Sequence, residues 1–211
     1  MDRATVVFFV ALVASIILHE ISHGVVALWF GDDTAKRAGR LTLNPVPHID
    51  PLGSIIIPAL GAIAHVPVIG WAKPVPVDPN KLRSRRDMLV VSLAGPATNL
   101  SLMLIAAVVA RSLYNPPFEP FGIRLVDLSL PVLVALIVAQ VNLFLGVLNL
   151  LPIPPLDGSA LLERVLPKKW LPGWHRFTPY GILVLFGLVF WVGLGPVFDP
   201  FLRRLNEFIL T

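Results

Sequence analysis

"ATVVFFVALVASIILHEISHGVVALWF", residues 4–30, decides the fold of this chain. It is an apolar run long enough to cross a bilayer, which takes ~20 such residues. Three ionisable side chains interrupt it: His19, Glu20 and His23. Such groups are costly inside a span and usually mark function. The run is too long for a cleavable signal peptide, and its start lacks a clearly basic region. The composition agrees with a membrane reading. Of 211 residues, 55% are hydrophobic and 14% charged, with a mean hydropathy of +0.78, against about a quarter charged in soluble domains. The net charge of +4 comes from basic residues that flank apolar runs. It therefore reports membrane topology and not nucleic-acid binding.

Two further runs, residues 87–110 and 130–151, also reach span length, and a fourth, 179–197, is Gly-rich and slightly short. The segment 52–69 is apolar but broken by Pro58, Gly61 and Pro67. If it enters and returns on one side, twelve of the 17 Lys and Arg residues fall on one face. The positive-inside rule then makes that face cytoplasmic and the N-terminus external. The stretches "RLTLNP" (40–45) and "KPVPVDP" (73–79) alternate with period two, which predicts strands, demoted to edge strands by their prolines. An edge of that kind would offer an unwound substrate a pairing partner. No internal repeat is visible.

His19 and His23, four residues apart, share a helix face and suit two imidazoles binding one zinc. Glu20 then stands where it can take a proton from water. A catalytic zinc needs a third protein ligand. The chain has no cysteine, so the candidates are His48, His65, His175 and the acidic residues. Asp157, in "NLLPIPPLDG" (149–158), is the strongest: it follows the third run, after Pro152, Pro154 and Pro155 have prevented regular helix. Counting back from Phe30 at 1.5 Å per residue, His23 lies about 10 Å deep and His19 about 16 Å. The third run ends in the same half of the membrane. The alternative use of Asp157 is to cap a short helix starting near Ser159.

Taken in order, "HEISHG", "GWAKPVPVDP", "AGPATNL" and "NLLPIPPLDG" resemble the site-2 protease family of intramembrane zinc metalloproteases, and "GRLTLNPVPHIDPLGS" is similar to its bacterial and archaeal members. The resemblance implies that His19, His23 and Asp157 hold one zinc per chain and that Glu20 is the catalytic acid and base. It also implies a three-helix core with a β-sheet embedded between the first two helices. No PDZ or CBS domain is expected, as in the minimal form. The expected fold is an all-α polytopic membrane protein. Its single domain covers 1–211, with a catalytic core of about 4–165, a small membrane-embedded β-sheet or re-entrant region, and one further span near 177–198.

Asn99 lies about 18 Å along its helix from Asp87, level with His19. It either donates to the substrate carbonyl as a catalytic group or forms an interhelical hydrogen bond. Asn142 reads as packing, and Asn149 as ordering the Asp157 loop. His48 and His65 read as structural, and His175, beside Trp174, as an interfacial anchor. The expected activity is endoproteolysis of a single-span membrane protein by a multi-pass enzyme of the cell membrane, with its site in the cytoplasmic half. A metal transporter or a non-proteolytic zinc-binding membrane protein is the alternative. A transporter would need polar groups in both membrane halves, whereas here they gather at one depth. Oligomeric state is left open.

Overall fold

A computed structural model of the chain describes residues 2–63, 70–84, 86–114 and 128–210. Three helices among these are long and apolar enough to cross a membrane: α1 (Arg3–Trp29), α4 (Asp87–Leu113) and α5 (Leu130–Asn149). Between α1 and α4 lie the short α2 (Thr34–Arg37) and a wide helical turn, Pro51–Ile56, that runs into α3 (Ile57–Ile63). After α5 come α6 (Gly158–Val165), α7 (Leu171–Phe177), α8 (Gly181–Gly187) and α9 (Gly195–Leu210).

α5 is the centre of the bundle. Of its most apolar window 56% is buried, against 22% for α1 and 33% for α4. Leu133 and Leu136 of α5 share one buried core cluster with Ala106, Ala107 and Ala110 of α4, Ala11 of α1, and Leu205 and Ile209 of α9. Small residues set this closeness, as in other helix pairs without a hydrophobic driving force between them. At the α4–α5 crossing a Cβ on Gly146 would stand 2.9 Å from Leu100 Cδ2. The helix ends are pinned by polar groups. Asp2 caps α1 through the amide of Thr5 at 2.8 Å, and Arg3 Nη2 donates to the Leu128 carbonyl beside the start of α5 at 2.8 Å.

Residues 40–45 and 73–79 form no strand, and no sheet exists among the described residues. Proline removes the donors a ladder needs, and five prolines fall within 45–79 close to or inside these stretches (Pro45, Pro47, Pro74, Pro76, Pro79). One side-chain bond and one isolated backbone bond hold this region instead. Arg40 Nη2 donates to the Lys73 carbonyl at 2.6 Å, and the Lys73 amide donates to the His48 carbonyl at 2.9 Å. The pairing edge expected there is therefore missing.

The chain departs at Gly53 and is back at the same point by Trp71. The Trp71 amide donates to the Gly53 carbonyl at 3.1 Å, and Ser54 Oγ donates to the Trp71 carbonyl at 2.8 Å. Between these ends, Ile55, Ile56, Leu60 and Ile63 are exposed, as is Leu52 just before them. The fourth apolar run is also not a simple span. It breaks into shorter helices, and the chain turns by 70° ahead of α9, next to Gly193 at φ 74°.

Candidate active site

His19 and His23 stand one turn apart on the face of α1 that meets α4, and both are buried. Their Nε2 atoms are 3.1 Å apart. Asp157 Oδ2 lies 3.1 Å from His19 Nε2 and 3.3 Å from His23 Nε2. Asp157 is the residue before α6, yet its side chain makes no capping bond. Its carboxylate is turned to the histidines by the proline-rich passage 150–157 and by a tight corner at Gly158, where a Cβ would press on the carbonyls of Leu150 and Leu151.

The outer nitrogens of both rings are occupied. His19 Nδ1 is 2.6 Å from Asn99 Oδ1, and His23 Nδ1 is 2.6 Å from the Val91 carbonyl. A carbonyl oxygen only accepts, so each Nδ1 carries the hydrogen and each neutral ring turns a lone pair inward from Nε2. Two nitrogen lone pairs and a carboxylate oxygen thus converge within 3.3 Å, and Asp157 Oδ2 is buried with no hydrogen-bond donor. With both rings neutral this arrangement is repulsive on its own and fits a cation. Ligands at about 2.0–2.1 Å in a tetrahedral zinc site lie about 3.3–3.4 Å from one another, close to these spacings. Among the described residues, these three are the group of His, Asp and Glu side chains able to hold a metal. Gly95 of α4 makes the room: a Cβ there would sit 2.5 Å from Nε2 of both histidines.

Glu20 follows His19 on α1. Its Oε2 accepts from the Val75 amide at 2.8 Å. Val75 can come this near because Gly24, one turn along, has no side chain; a Cβ there would be 3.0 Å from Val75 Cγ1. The stretch around Val75 is held further on by Asp32, a buried carboxylate just past α1. Asp32 accepts from the Asp78 amide at 2.6 Å and from the amide and hydroxyl of Thr34. Burial works against its ionisation, but these donors outweigh it and hold the carboxyl below its usual range.

Asn99 is fully buried against His19 and hydrogen-bonds through both ends of its carboxamide. His48 is buried and is not part of the His19, His23 and Asp157 cluster; its Nε2 lies 3.0 Å from the Thr42 carbonyl. Asn149 bonds back to the Leu145 carbonyl of its own helix, and His175 is exposed near Glu163. His65 lies outside the described residues. Sequence reasoning missed Ser15, the Val75 amide, the Val91 carbonyl and Asp32. Backbone partners carry no residue signature. The one readable signal was Asp32 itself, an acidic residue directly after a span.

Residues 117–191 match the model of "Peptidase family M50". A protein of Bacillus subtilis (strain 168) named "Putative zinc metalloprotease YwhC" is 36% identical over 95% of this chain and 88% of its own length. "Putative zinc metalloprotease Rip2" of Mycolicibacterium smegmatis is 34% identical over 81% of this chain and 61% of its own. "Zinc metalloprotease MJ0392" of Methanocaldococcus jannaschii is 24% identical over 87% and 43%. No solved structure matches the chain. With likeness along nearly its whole length to a zinc metalloprotease of similar size, the chain belongs to peptidase family M50, the site-2 proteases, and is a multi-pass intramembrane zinc metalloprotease.

Proposed function

We propose that this protease cuts the membrane-spanning segment of single-span proteins, with His19, His23 and Asp157 as the zinc ligands and Glu20 as the acid and base. The observation that carries the reading is the convergence of three electron-pair donors around a pocket kept open by Gly95. Zinc held there supplies a Lewis acid that lowers the pKa of water and polarises the scissile carbonyl.

The chain's own groups do the remainder. Asn99 and the Val91 carbonyl keep a hydrogen on each Nδ1, so the histidines present Nε2. The Val75 amide anchors one oxygen of Glu20. The other oxygen takes the proton from the attacking water and returns it to the leaving amine. Asn99, fully buried against His19, positions that ring. The site sits in the cytoplasmic half of the membrane under the topology that gives twelve basic residues to that side. The meeting of Gly53 and Trp71 supports that topology, because a segment whose ends meet returns to the face it left.

Glu20→Gln tests the assignment. The variant is expected to keep stoichiometric zinc while cleavage of a reconstituted single-span substrate falls by about 10²–10⁴-fold. Cleavage at the wild-type rate by the zinc-loaded variant would overturn the role of Glu20.

A further inference from the structure

We propose that a buried polar chain crossing all three long helices sets the tautomer of His19, with Asn142 as its deciding positioning residue. The inference rests on the reading of His19 as a zinc ligand. It begins at a group of fixed polarity. The Val138 carbonyl can only accept, and the Asn142 amide nitrogen lies 2.9 Å from it and 2.8 Å from Ser15 Oγ on α1. Asn142 must therefore turn Oδ1 toward α4, where it accepts from Asn99 Nδ2 at 2.8 Å. Asn99 is left with Oδ1 facing His19 Nδ1 at 2.6 Å. An oxygen at that place requires the hydrogen on Nδ1, and the lone pair is delivered at Nε2 toward His23 and Asp157.

The side chains of this relay are all buried. Asn99 and Asn142 are 0% exposed, Ser15 4% and His19 7%. A flipped amide would set oxygen against oxygen at the Val138 carbonyl. His23 needs no such device, because the Val91 backbone carbonyl orients it directly. The two histidines are thus held by different means. His19 depends on side chains donated by α4 and α5, so its readiness for metal depends on the three helices being packed together. Gly146, one turn beyond Asn142, allows that packing.

Polar groups between membrane helices also act as simple adhesive, and the two roles separate in a double-mutant cycle on zinc affinity. Zinc affinity of the full chain in detergent is measured by chelator competition for the wild type, Asn99→Ala, Asn142→Ala and the double variant. Loss of a histidine's outer partner weakens metal binding about 10–100-fold, the effect expected of Asn99→Ala. Asn142→Ala is expected to weaken it roughly tenfold, and the double variant to be no worse than Asn99→Ala alone. Unchanged affinity in Asn142→Ala, or losses that multiply in the double variant, would overturn the relay. Ser15→Ala leaves Val138 to set the polarity and is expected to retain zinc; a loss matching Asn142→Ala would overturn the origin assigned to Val138. Nitrogen-15 NMR of histidine-labelled, metal-free wild type needs no variant to fold. It should find the His19 hydrogen on Nδ1, and a hydrogen on Nε2 would overturn the proposal outright. A wild-type chain that binds no zinc overturns the metal reading beneath it, which is a different result from a zinc-binding chain indifferent to Asn142.

Discussion

Gly95 shows how narrowly the candidate metal pocket is drawn. Its missing side chain is the space into which both Nε2 atoms project. A methyl group there forces α4 away from α1 or turns the rings off their outer partners, Asn99 and Val91. Gly95→Ala is expected to cost about 1–3 kcal/mol of stability, the range for overpacking, and to lower zinc affinity with it. Gly146→Ala disturbs the same crossing from the α5 side, where a Cβ would stand 2.9 Å from Leu100 Cδ2 and 3.5 Å from Asn99 Cβ but touch neither histidine, so it should lower stability and weaken zinc binding less than Gly95→Ala. Thermal unfolding and metal content of the purified variants check both; wild-type zinc binding by Gly95→Ala would count against the close approach. At this scale much was readable from sequence. The four-residue spacing of His19 and His23 and their depth match to Asn99 both follow from helix geometry. Asp157 was ambiguous for a physical reason: a capping residue and a ligand carried on the turn before a helix occupy the same sequence position. Only the direction of the carboxylate separates them, and it makes no capping bond.

The stretch from Trp71 to Leu82 shows where local pattern fails. Alternation in "KPVPVDP" reports an extended chain and not whether a neighbour supplies the ladder. Here the partners are side chains 33 to 55 residues earlier: Glu20 for the Val75 amide, Asp32 for the Asp78 amide, and Arg40 for the Lys73 carbonyl. Such long-range pairings leave no periodic trace. The fourth apolar run is similar: its glycines are visible in sequence, but the 70° turn is not. Asp32 is the clamp that holds this stretch over Glu20, and its removal can be predicted. Asp32→Ala leaves two backbone amides without their acceptor, at a cost of about 1.5–3 kcal/mol for bonds to a charged group. Because the folded carboxyl titrates below its usual value, its contribution is fully present above the unfolded value and is lost as pH falls through the folded one. The gap in thermal stability between wild type and Asp32→Ala should therefore be widest near neutrality and shrink below about pH 4. A gap that stays constant into acid would mean that the carboxylate charge has no part in the clamp. Cleavage should also slow in Asp32→Ala, since the Val75 amide loses its fixed place beside Glu20.

Across the whole molecule, apolar packing and the candidate metal site divide the work of holding the helices. One end of the bundle is closed by Ala106, Ala107, Ala110, Leu133, Leu136, Leu205 and Ile209, and by Arg111, which donates to the Phe208 carbonyl and lies over its ring. α9 is fastened to the same helices by the Gln140–Asn206 hydrogen bond at 2.9 Å and by Phe198 against Phe144 at 4.6 Å. The other end has fewer apolar contacts; there Ala27, Leu82 and Val91 form a small separate cluster. In that region α1 and the passage 150–157 are joined by the proposed zinc site, a cross-link that only the folded chain can offer. Zinc at 1,000 times its dissociation constant would then add about 4 kcal/mol to the folded state. The stabilisation should be local, since opening proceeds by sub-regions with different contact density. Chelation is expected to speed amide hydrogen exchange in 150–157 and 70–84 while leaving 132–139 protected, and His23→Ala should reproduce that pattern and remove its response to zinc. Uniform acceleration along the chain would mean instead that the metal holds the entire bundle together. No change at all would mean that apolar packing suffices at both ends, and that the ligands are brought together before the metal arrives.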